Sequence, residues 1–404
     1  MPKNVTSYTF FLGHQPHLSV AELEAVFGTG SILEFNQIYA ILELQEELPE
    51  NQIDSLGGTK SIAKLIKKEQ RNGILQKQLL NLILENLSEQ KKAKIKLGVS
   101  IYSDKTFEQP NAQFIQELLE EVRHHAKKQL PDLNLRTVEP KSGSLSSAQI
   151  IHSGLLKNSG LSLSFIIQEN QIVLAQTIQA PNLKKYTLRD YGKPKPSGKN
   201  GMLPPKLAQI LLNLSAVKTG QTVLDPFCGS GTLLQEALLR GINCIGSDLN
   251  PQMVNDARLN LEWLKYRFRL KDSSFEIFPA DATCDHWDQH FDVIVTESYL
   301  GRPLSKEPSK QKLNLIIQEC NEIAENFLLN IHPQIKNKQT LIIALPCWFV
   351  EAGVIKLPVV EKLSALGYNL KESKKVKADL IYHRSNGQKD QIVGRDIYAL
   401  SLKI

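Results

Sequence analysis

Asp225-Pro226-Phe227-Cys228-Gly229-Ser230-Gly231-Thr232 decides how this chain is read. The short apolar run Thr222-Val223-Leu224 precedes it, and an apolar stretch from Leu233 to Arg240 follows. A strand, an acidic residue and a Gly-rich turn leading into a helix describe a nucleotide-type pocket. Gly229 and Gly231 tolerate positive φ and let a ligand approach the backbone. The turn lacks the Gly-x-Gly-x-x-Gly spacing of dinucleotide sites and the Lys-Ser/Thr of a phosphate loop. An ionised Asp225 repels a pyrophosphate but suits a ligand that carries a cationic amine.

The next elements repeat the pattern. Asn243-Cys244-Ile245-Gly246-Ser247-Asp248 reads as a second strand ending in a carboxylate, followed by Leu249. Asn250 then caps a helix that starts at Pro251. A carboxylate at that strand end accepts both hydroxyls of a ribose. A third strand, Phe275-Glu276-Ile277-Phe278, leads to Ala280-Asp281-Ala282, where Asp281 is placed to accept from an adenine amino group. A fourth, Phe291-Asp292-Val293-Ile294-Val295, ends in Thr296-Glu297-Ser298-Tyr299-Leu300-Gly301. A ligand with a ribose, an adenine, an α-amine and a sulfonium satisfies this series, and S-adenosylmethionine is such a ligand. The expected cofactor set is Asp225, Pro226, Phe227, Cys228, Gly229, Gly231, Thr232, Asp248, Leu249, Asp281, Ala282 and Glu297. Ordinary strand-end turns with solvated acids are the plainer alternative, most of all for Asp281.

Residues 205–404 resemble the Rossmann-like class I methyltransferases. More narrowly, the chain resembles the THUMP-containing tRNA guanosine-N2 methyltransferases, the group that modifies position ten of tRNA in archaea and eukaryotes, and looks like a bacterial relative of it. The matching stretches are Phe11-Leu12-Gly13, Leu18 to Ala25, Leu97 to Tyr102, Arg189-Asp190-Tyr191-Gly192-Lys193-Pro194 and Gly201 to Ala208. The Asp225 motif and Val295-Thr296-Glu297 complete them, in the family's order. The resemblance implies tRNA binding near the acceptor end and direct methyl transfer to the exocyclic N2 amine of a guanosine, with no metal and no covalent enzyme intermediate.

One departure stands out. The family's catalytic strand end reads acid-Pro-Pro-aromatic-Gly. Here it reads Glu297-Ser298-Tyr299-Leu300-Gly301, with both prolines missing and the aromatic one position early. An exocyclic amine is a weak nucleophile because its lone pair is delocalised into the ring. A carboxylate and a backbone carbonyl that accept its N–H bonds orient the lone pair and disperse developing positive charge. Glu297 is expected to supply the carboxylate, Ser298 the turn, and Tyr299 the face that holds a flipped base. Methylation of adenine N6, or of a base in rRNA or DNA, uses the same kind of turn. A non-catalytic RNA-binding protein that kept the fold is a third reading.

Composition sets outer bounds. The chain has 404 residues, 42% of them hydrophobic, and a formal net charge of +6. With a mean hydropathy of −0.22 it reads as globular, with two to three domains. No apolar run reaches membrane-spanning length, and the first residues lack a signal core. The five cysteines are scattered, which points to a reduced, metal-free cytoplasmic protein. Cys284 and His286 alone are too few for a zinc site. A monomer is expected.

Charge is concentrated between Pro181 and Lys206, where Lys184, Lys185, Arg189, Lys193, Lys195, Lys199 and Lys206 face Asp190 alone. Gly and Pro interrupt the stretch, so it reads as a basic interdomain linker. Lys184, Lys185, Arg189, Lys193 and Lys195 are candidate phosphate contacts; a polar linker kept for solvation has the same composition. A second basic zone covers 60–71 and 91–96.

The remaining pattern is α/β. Tyr8 to Leu12 and Lys94 to Ser100 read as strands, and Ser19 with Glu22 reads as a capping box. Asn111 to Leu130 is an amphipathic helix, and Leu161–Gln168 with Gln171–Thr177 form a hairpin across Glu169-Asn170. Further on come a helix over Leu313–Asn330, a strand over Thr340–Leu345 ending at Pro346, and a helix over Pro358–Leu366. A terminal hairpin, Leu380–His383 with Arg395–Leu402 around Ser385-Asn386-Gly387, supplies an antiparallel edge strand. The expected organisation is a ferredoxin-like α/β subdomain over 1–58, a THUMP-like RNA-binding domain over 59–178, a basic linker over 179–204, and a Rossmann-like methyltransferase domain with a seven-stranded sheet over 205–404.

Overall fold

The structure is a computed structural model, described here for residues 5–103, 109–196, 203–304, 307–336, 339–351, 353–383 and 392–403. The chain folds as two units. One holds residues up to 16, then 30–54 and 59–183; the other holds 17–29, 55–58 and 184–404.

The first unit is built on one eight-stranded sheet. Its strands are β1 (Thr6–Leu12), β2 (Ile32–Phe35), β3 (Tyr39–Leu44), β4 (Thr59–Gln70), β5 (Lys94–Ser103), β6 (Asn134–Val138), β7 (Gly160–Ile167) and β8 (Gln171–Gln179). The spatial order is β2-β3-β1-β4-β8-β7-β5-β6. The regions expected as two separate N-terminal domains therefore contribute strands to one continuous sheet. Only β5 pairs in parallel, with β6 and β7. The hairpin across Glu169-Asn170 is present, with Ile167 opposite Ile172.

Helix α1 (Pro16–Phe27) clusters with the second unit. Its Ser19 and Glu22 do not form a capping box. Pro16 starts the helix one turn earlier, so both residues lie inside it and reach out to a glycine pair. Ser19 Oγ donates to the Gly58 carbonyl at 2.7 Å, and the Gly57 and Gly58 amides donate to the two oxygens of Glu22 at 2.8 Å each. Asn213 Nδ2 adds a third donor at 2.7 Å. In the first unit α2 (Leu75–Ser88) and α3 (Ala112–Gln129) share an apolar core with the sheet, through Leu79, Ile83, Leu118 and Val122. Asn111 caps α3 by accepting from the Phe114 amide. The short α4 (Ser147–His152) carries the unit's capping box, formed by Ser146 and Gln149.

The second unit is built on a nine-stranded sheet, seven strands on its main path and two pairing off it, where the sequence led to an expectation of seven. Its strands β9 (Thr222–Asp225), β10 (Asn243–Asp248), β11 (Phe275–Pro279), β12 (Val293–Glu297) and β13 (Leu341–Val350) run parallel. The spatial order is β11-β10-β9-β12-β13, followed by the antiparallel β17 (Val393–Leu402) and then β15 (Tyr368–Leu370). Two short strands, β14 (Gly353–Ile355) and β16 (Ile381–Tyr382), pair off that path. Strand order reverses between β9 and β12, so the crevice of this doubly wound sheet opens at their C-terminal ends. The antiparallel strand is not at the edge: it lies between β13 and β15. The hairpin turn Ser385-Asn386-Gly387 lies outside the described residues. The strand expected to stop at Pro346 runs through it to Val350. Beyond Ala344 that strand no longer has β12 beside it, so a residue without an N–H is tolerated.

Helices α5 (Leu183–Tyr191), α6 (Pro205–Leu214), α7 (Thr232–Leu238), α8 (Pro251–Phe268), α9 (Lys310–Ile331) and α10 (Val359–Lys362) complete the unit. Leu207, Leu211, Leu234, Ala257 and Leu261 pack together on one core, and Ile316, Phe327 and Leu328 on another. Asn250 caps α8 by accepting from the Gln252 amide, with Pro251 in its first turn.

Burial raises the Glu22 carboxyl to about 7, against the three donors that favour its ionised form. A group whose folded pKa lies above its unfolded value contributes stability that is lost as pH rises through the folded pKa. Unfolding free energy should therefore fall by about 3 kcal/mol between pH 4.5 and 7 on account of this residue alone. Denaturant titrations across that range should show Glu22→Gln with a flatter slope than wild type.

Candidate cofactor and catalytic site

Three carboxylates converge at the crevice from adjacent strands. Asp225 ends β9, Asp248 ends β10 and Glu297 ends β12. Asp225 is buried, and its Oδ1 accepts from Thr296 Oγ1 at 2.6 Å and from the Phe227 amide at 3.3 Å. Burial raises its pKa to about 7 despite those donors, and Asp248 and Glu297 push it further up. Asp248 grips the turn itself: Oδ2 accepts from the Gly229 amide at 3.0 Å, and Oδ1 from the Asn250 amide at 2.9 Å.

The turn has the form its glycines predict. Gly229 has φ +51° and open space where a Cβ would stand. Gly231 has φ +83°, and a Cβ there would meet the Ala257 Cβ of α8 at 3.3 Å. The Cys228 amide donates to the Ser247 carbonyl at 2.8 Å, and Ser247 Oγ donates to the Pro226 carbonyl at 3.4 Å. Phe227 packs edge-on against Phe327. Leu249, beside Asp248, leaves 70% of its surface exposed.

Asp281 behaves differently. Its Oδ1 accepts from both the amide and the hydroxyl of Thr283, at 2.9 and 2.6 Å, and these donors hold its carboxyl below the usual range. It organises its own turn, with the Cys284 side chain as a further donor. Ala282 is buried, and its carbonyl accepts from Asn330 Nδ2.

Glu297 has a partner that the sequence did not reveal. Its Oε1 accepts from Arg395 Nε at 2.9 Å, and Arg395, on β17, is 2% exposed. Burial raises the Glu297 carboxyl while Arg395 holds it down. After Glu297 the backbone keeps sheet register for one more residue, as the Ser298 amide donates to the Ala344 carbonyl at 3.0 Å. Tyr299 is half-buried. Gly301 has φ +81°, and a Cβ there would approach Ile316 Cγ2 to 2.9 Å. Only glycine brings the turn this close to α9.

The basic stretch after Pro181 is not a uniform surface. Its first part is helix α5. Lys184, Lys185 and Lys195 are exposed, as phosphate binding requires. Arg189 and Lys193 are buried, 6% and 3% exposed, and face inward. Arg189 Nε pairs with Glu236 Oε1 at 2.7 Å, and Gln209 Nε2 donates to Glu236 Oε2 at 2.8 Å. Removing one partner of such a buried pair costs about 3–5 kcal/mol. Lys193 Nζ donates to Thr232 Oγ1 at 3.1 Å. Asn260 joins the same segment to the glycine turn: it accepts from the Lys195 amide and donates to the carbonyls of Lys195 and Ser230. Arg189 and Lys193 bind helix α7, which follows the turn, rather than face solvent. Sequence spacing gave no sign of it, because the partners lie 39 to 65 positions away.

The chain has known relatives in sequence and in fold. The UPF0020 family, described as an RMKL-like methyltransferase domain, matches residues 193–330. The N6_N4_Mtase family, described as a DNA methylase, matches residues 29–259, more than half the chain. The chain belongs to the N6_N4_Mtase family. A tRNA (guanine(10)-N2)-dimethyltransferase of Methanothermobacter thermautotrophicus is 36% identical over 128 residues, 32% of this chain and 36% of that protein. One of Methanocaldococcus jannaschii is 34% identical over 159 residues, 37% of this chain and 42% of that protein. The matches thus span less than half the length of these curated relatives. TrmN from Thermus thermophilus has a similar fold, with a TM-score of 0.52 at 14% identity, covering 99% of this chain and 100% of that one. SMU.472, a methyltransferase solved with S-adenosylhomocysteine, gives a TM-score of 0.51 at 12% identity, covering 99% and 98%. The fold is that of a class I methyltransferase.

The residues at the crevice fit S-adenosylmethionine. Open space at Gly229 admits the ligand to the backbone, Leu249 offers an uncovered apolar surface to an adenine, and three acids favour a cation. Among the described residues no group of His, Cys, Asp and Glu is arranged to hold a metal ion.

A ligand amine is attracted to Asp225 once that carboxyl is ionised, and its pKa is raised to about 7. Affinity for S-adenosylhomocysteine should therefore rise as pH increases through about 7. Calorimetry at successive pH values should show the rise in wild type and its absence in Asp225→Asn.

Proposed function

We propose that this chain is an S-adenosylmethionine-dependent methyltransferase acting on the exocyclic N2 amine of a guanosine in tRNA. The observation that carries the reading is Glu297 at the end of β12, fixed by Arg395 beside the Asp225–Asp248 crevice. The names of the guanine-N2 relatives support the substrate class.

When bound, the cofactor supplies an electrophilic methyl group. The residues of the chain do the rest. Asp248 holds the ribose hydroxyls, and Asp225 faces the methionine amine. Arg395 occupies one oxygen of Glu297 and leaves the other to accept an N–H of the guanine amine. That contact strengthens as the nitrogen gains positive charge, so it lowers the barrier rather than merely binding substrate. Tyr299 offers its ring to the flipped base. The first unit serves as the THUMP-containing region and binds tRNA toward the acceptor end. The exposed Lys184, Lys185 and Lys195 pair with phosphates, and the enzyme works in the cytoplasm, with its substrate.

The DNA methylase match favours a second reading, methylation of adenine N6 or of DNA. It stops at residue 259, before the turn that would choose the base. Identifying the methylated nucleoside by mass spectrometry after reaction with unmodified tRNA, rRNA and duplex DNA decides between them. Methylated adenine in place of guanine, or no product from any of the three, would remove the proposal.

Two outcomes follow for variants. Glu297→Gln should lower kcat by about 10²–10³ in single-turnover assays and leave cofactor and tRNA affinity nearly unchanged. Charge reversal at Lys184, Lys185 and Lys195 should weaken tRNA binding at all sequences. It should also flatten the log–log salt dependence by roughly 0.7–0.9 for each phosphate no longer neutralised. An unchanged slope would return these lysines to a purely solvating role.

A further inference from the structure

Lys193 is a buried cation that its surroundings do not neutralise. Thr232 Oγ1 is its one hydrogen-bond partner among the described residues, and an ammonium has three donors. Glu236 and Asp190 act on it only through space, and Glu236 is already held by Arg189 and Gln209. Burial lowers its pKa to about 8, so it is still a cation at neutral pH. A buried charge kept in this condition is costly unless something else pairs with it. Thr232 takes the ammonium's hydrogen on its oxygen, and its own hydroxyl proton has no acceptor among the described residues. The pair therefore presents donors only, immediately after the Gly229–Gly231 turn.

The turn is where the methionine end of the cofactor is expected, and that end is a zwitterion. Its α-amine suits the acids at the strand ends. Its α-carboxylate is repelled by Asp225, Asp248 and Glu297. Arg395 is committed to Glu297, which leaves Lys193 as the buried cation at the turn with no carboxylate bonded to it among the described residues. Asn260 fixes the height of the 193–195 segment against Ser230. We infer that Lys193 and Thr232 together form the subsite for the α-carboxylate of S-adenosylmethionine. This rests on the cofactor reading above, and it makes the site selective for amino-acid-bearing nucleosides over their decarboxylated forms.

Calorimetry with S-adenosylhomocysteine and with its decarboxylated form, which keeps the adenosine, thioether and amine, tests it without any turnover. Wild type should prefer the carboxylate-bearing ligand by roughly 10- to 100-fold. Lys193→Met should bind both ligands with the affinity wild type shows for the decarboxylated one, and Lys193→Arg should keep part of the preference. Thr232→Val should lose a smaller part. A Lys193→Met protein that retains the wild-type preference, or that weakens on both ligands by the same factor, would overturn the subsite and make Lys193 a brace only. So would a wild type that binds the two ligands equally, with the cofactor reading left standing. A wild type that binds neither would overturn both.

Discussion

Three carboxylates on three adjacent strands must share one edge of the sheet, and much of the second unit is organised around that repulsion. Asp248 and Glu297 both push the Asp225 carboxyl up, and none of the three is left alone. Thr296 ties Asp225 to the neighbouring strand, the Gly229 amide ties Asp248 to the turn, and Arg395 ties Glu297 to the antiparallel strand. Each compensating group comes from a different element. The edge is thus a negative, preorganised surface for a cation, and it exists only when strands β9, β10, β12 and β17 are all in place.

The stretch from 184 to 195 shows how charge composition misleads. Lys184, Lys185, Arg189, Lys193 and Lys195 in a short run look like a solvated or phosphate-facing strip. Composition reports how many charges there are, not which way they point. Arg189 and Lys193 turn inward here, because Glu236, Thr232 and Asn260 lie on helices that the segment crosses. The outward lysines remain candidates for RNA. The inward pair instead ties the segment to helix α7, which starts at the glycine turn.

The sheet was legible for a simple reason. Strand-end acids recurring at βα spacing, each after an apolar run, report a repeated local unit, and local units are what a sequence records. The Asn250–Pro251 helix start was legible on the same ground. What failed had long-range causes. Ser19 and Glu22 have the spacing of a capping box, yet their partners Gly57 and Gly58 come from a loop 35 or more positions later. Pro346 looks like a strand terminator, and would be one if β12 continued beside it. Arg395 is one arginine among many until β17 is inserted beside β13 rather than added at the edge.

The turn after Glu297 shows what that insertion contributes. Two prolines after an acid fix two φ angles within the turn itself, so rigidity is local and survives fraying of its surroundings. This turn has none. Its order comes from Ser298 remaining in register with Ala344, from Gly301 fitted against α9, and from the ion pair to Arg395. All three are tertiary interactions, and the strongest reaches a strand at the far end of the sequence. Rigidity of this kind is cooperative: the carboxylate is held only while β17 is docked. The missing prolines therefore do not make the acid loose in the folded state. They transfer control of its position from the turn's own backbone to the last strand of the chain.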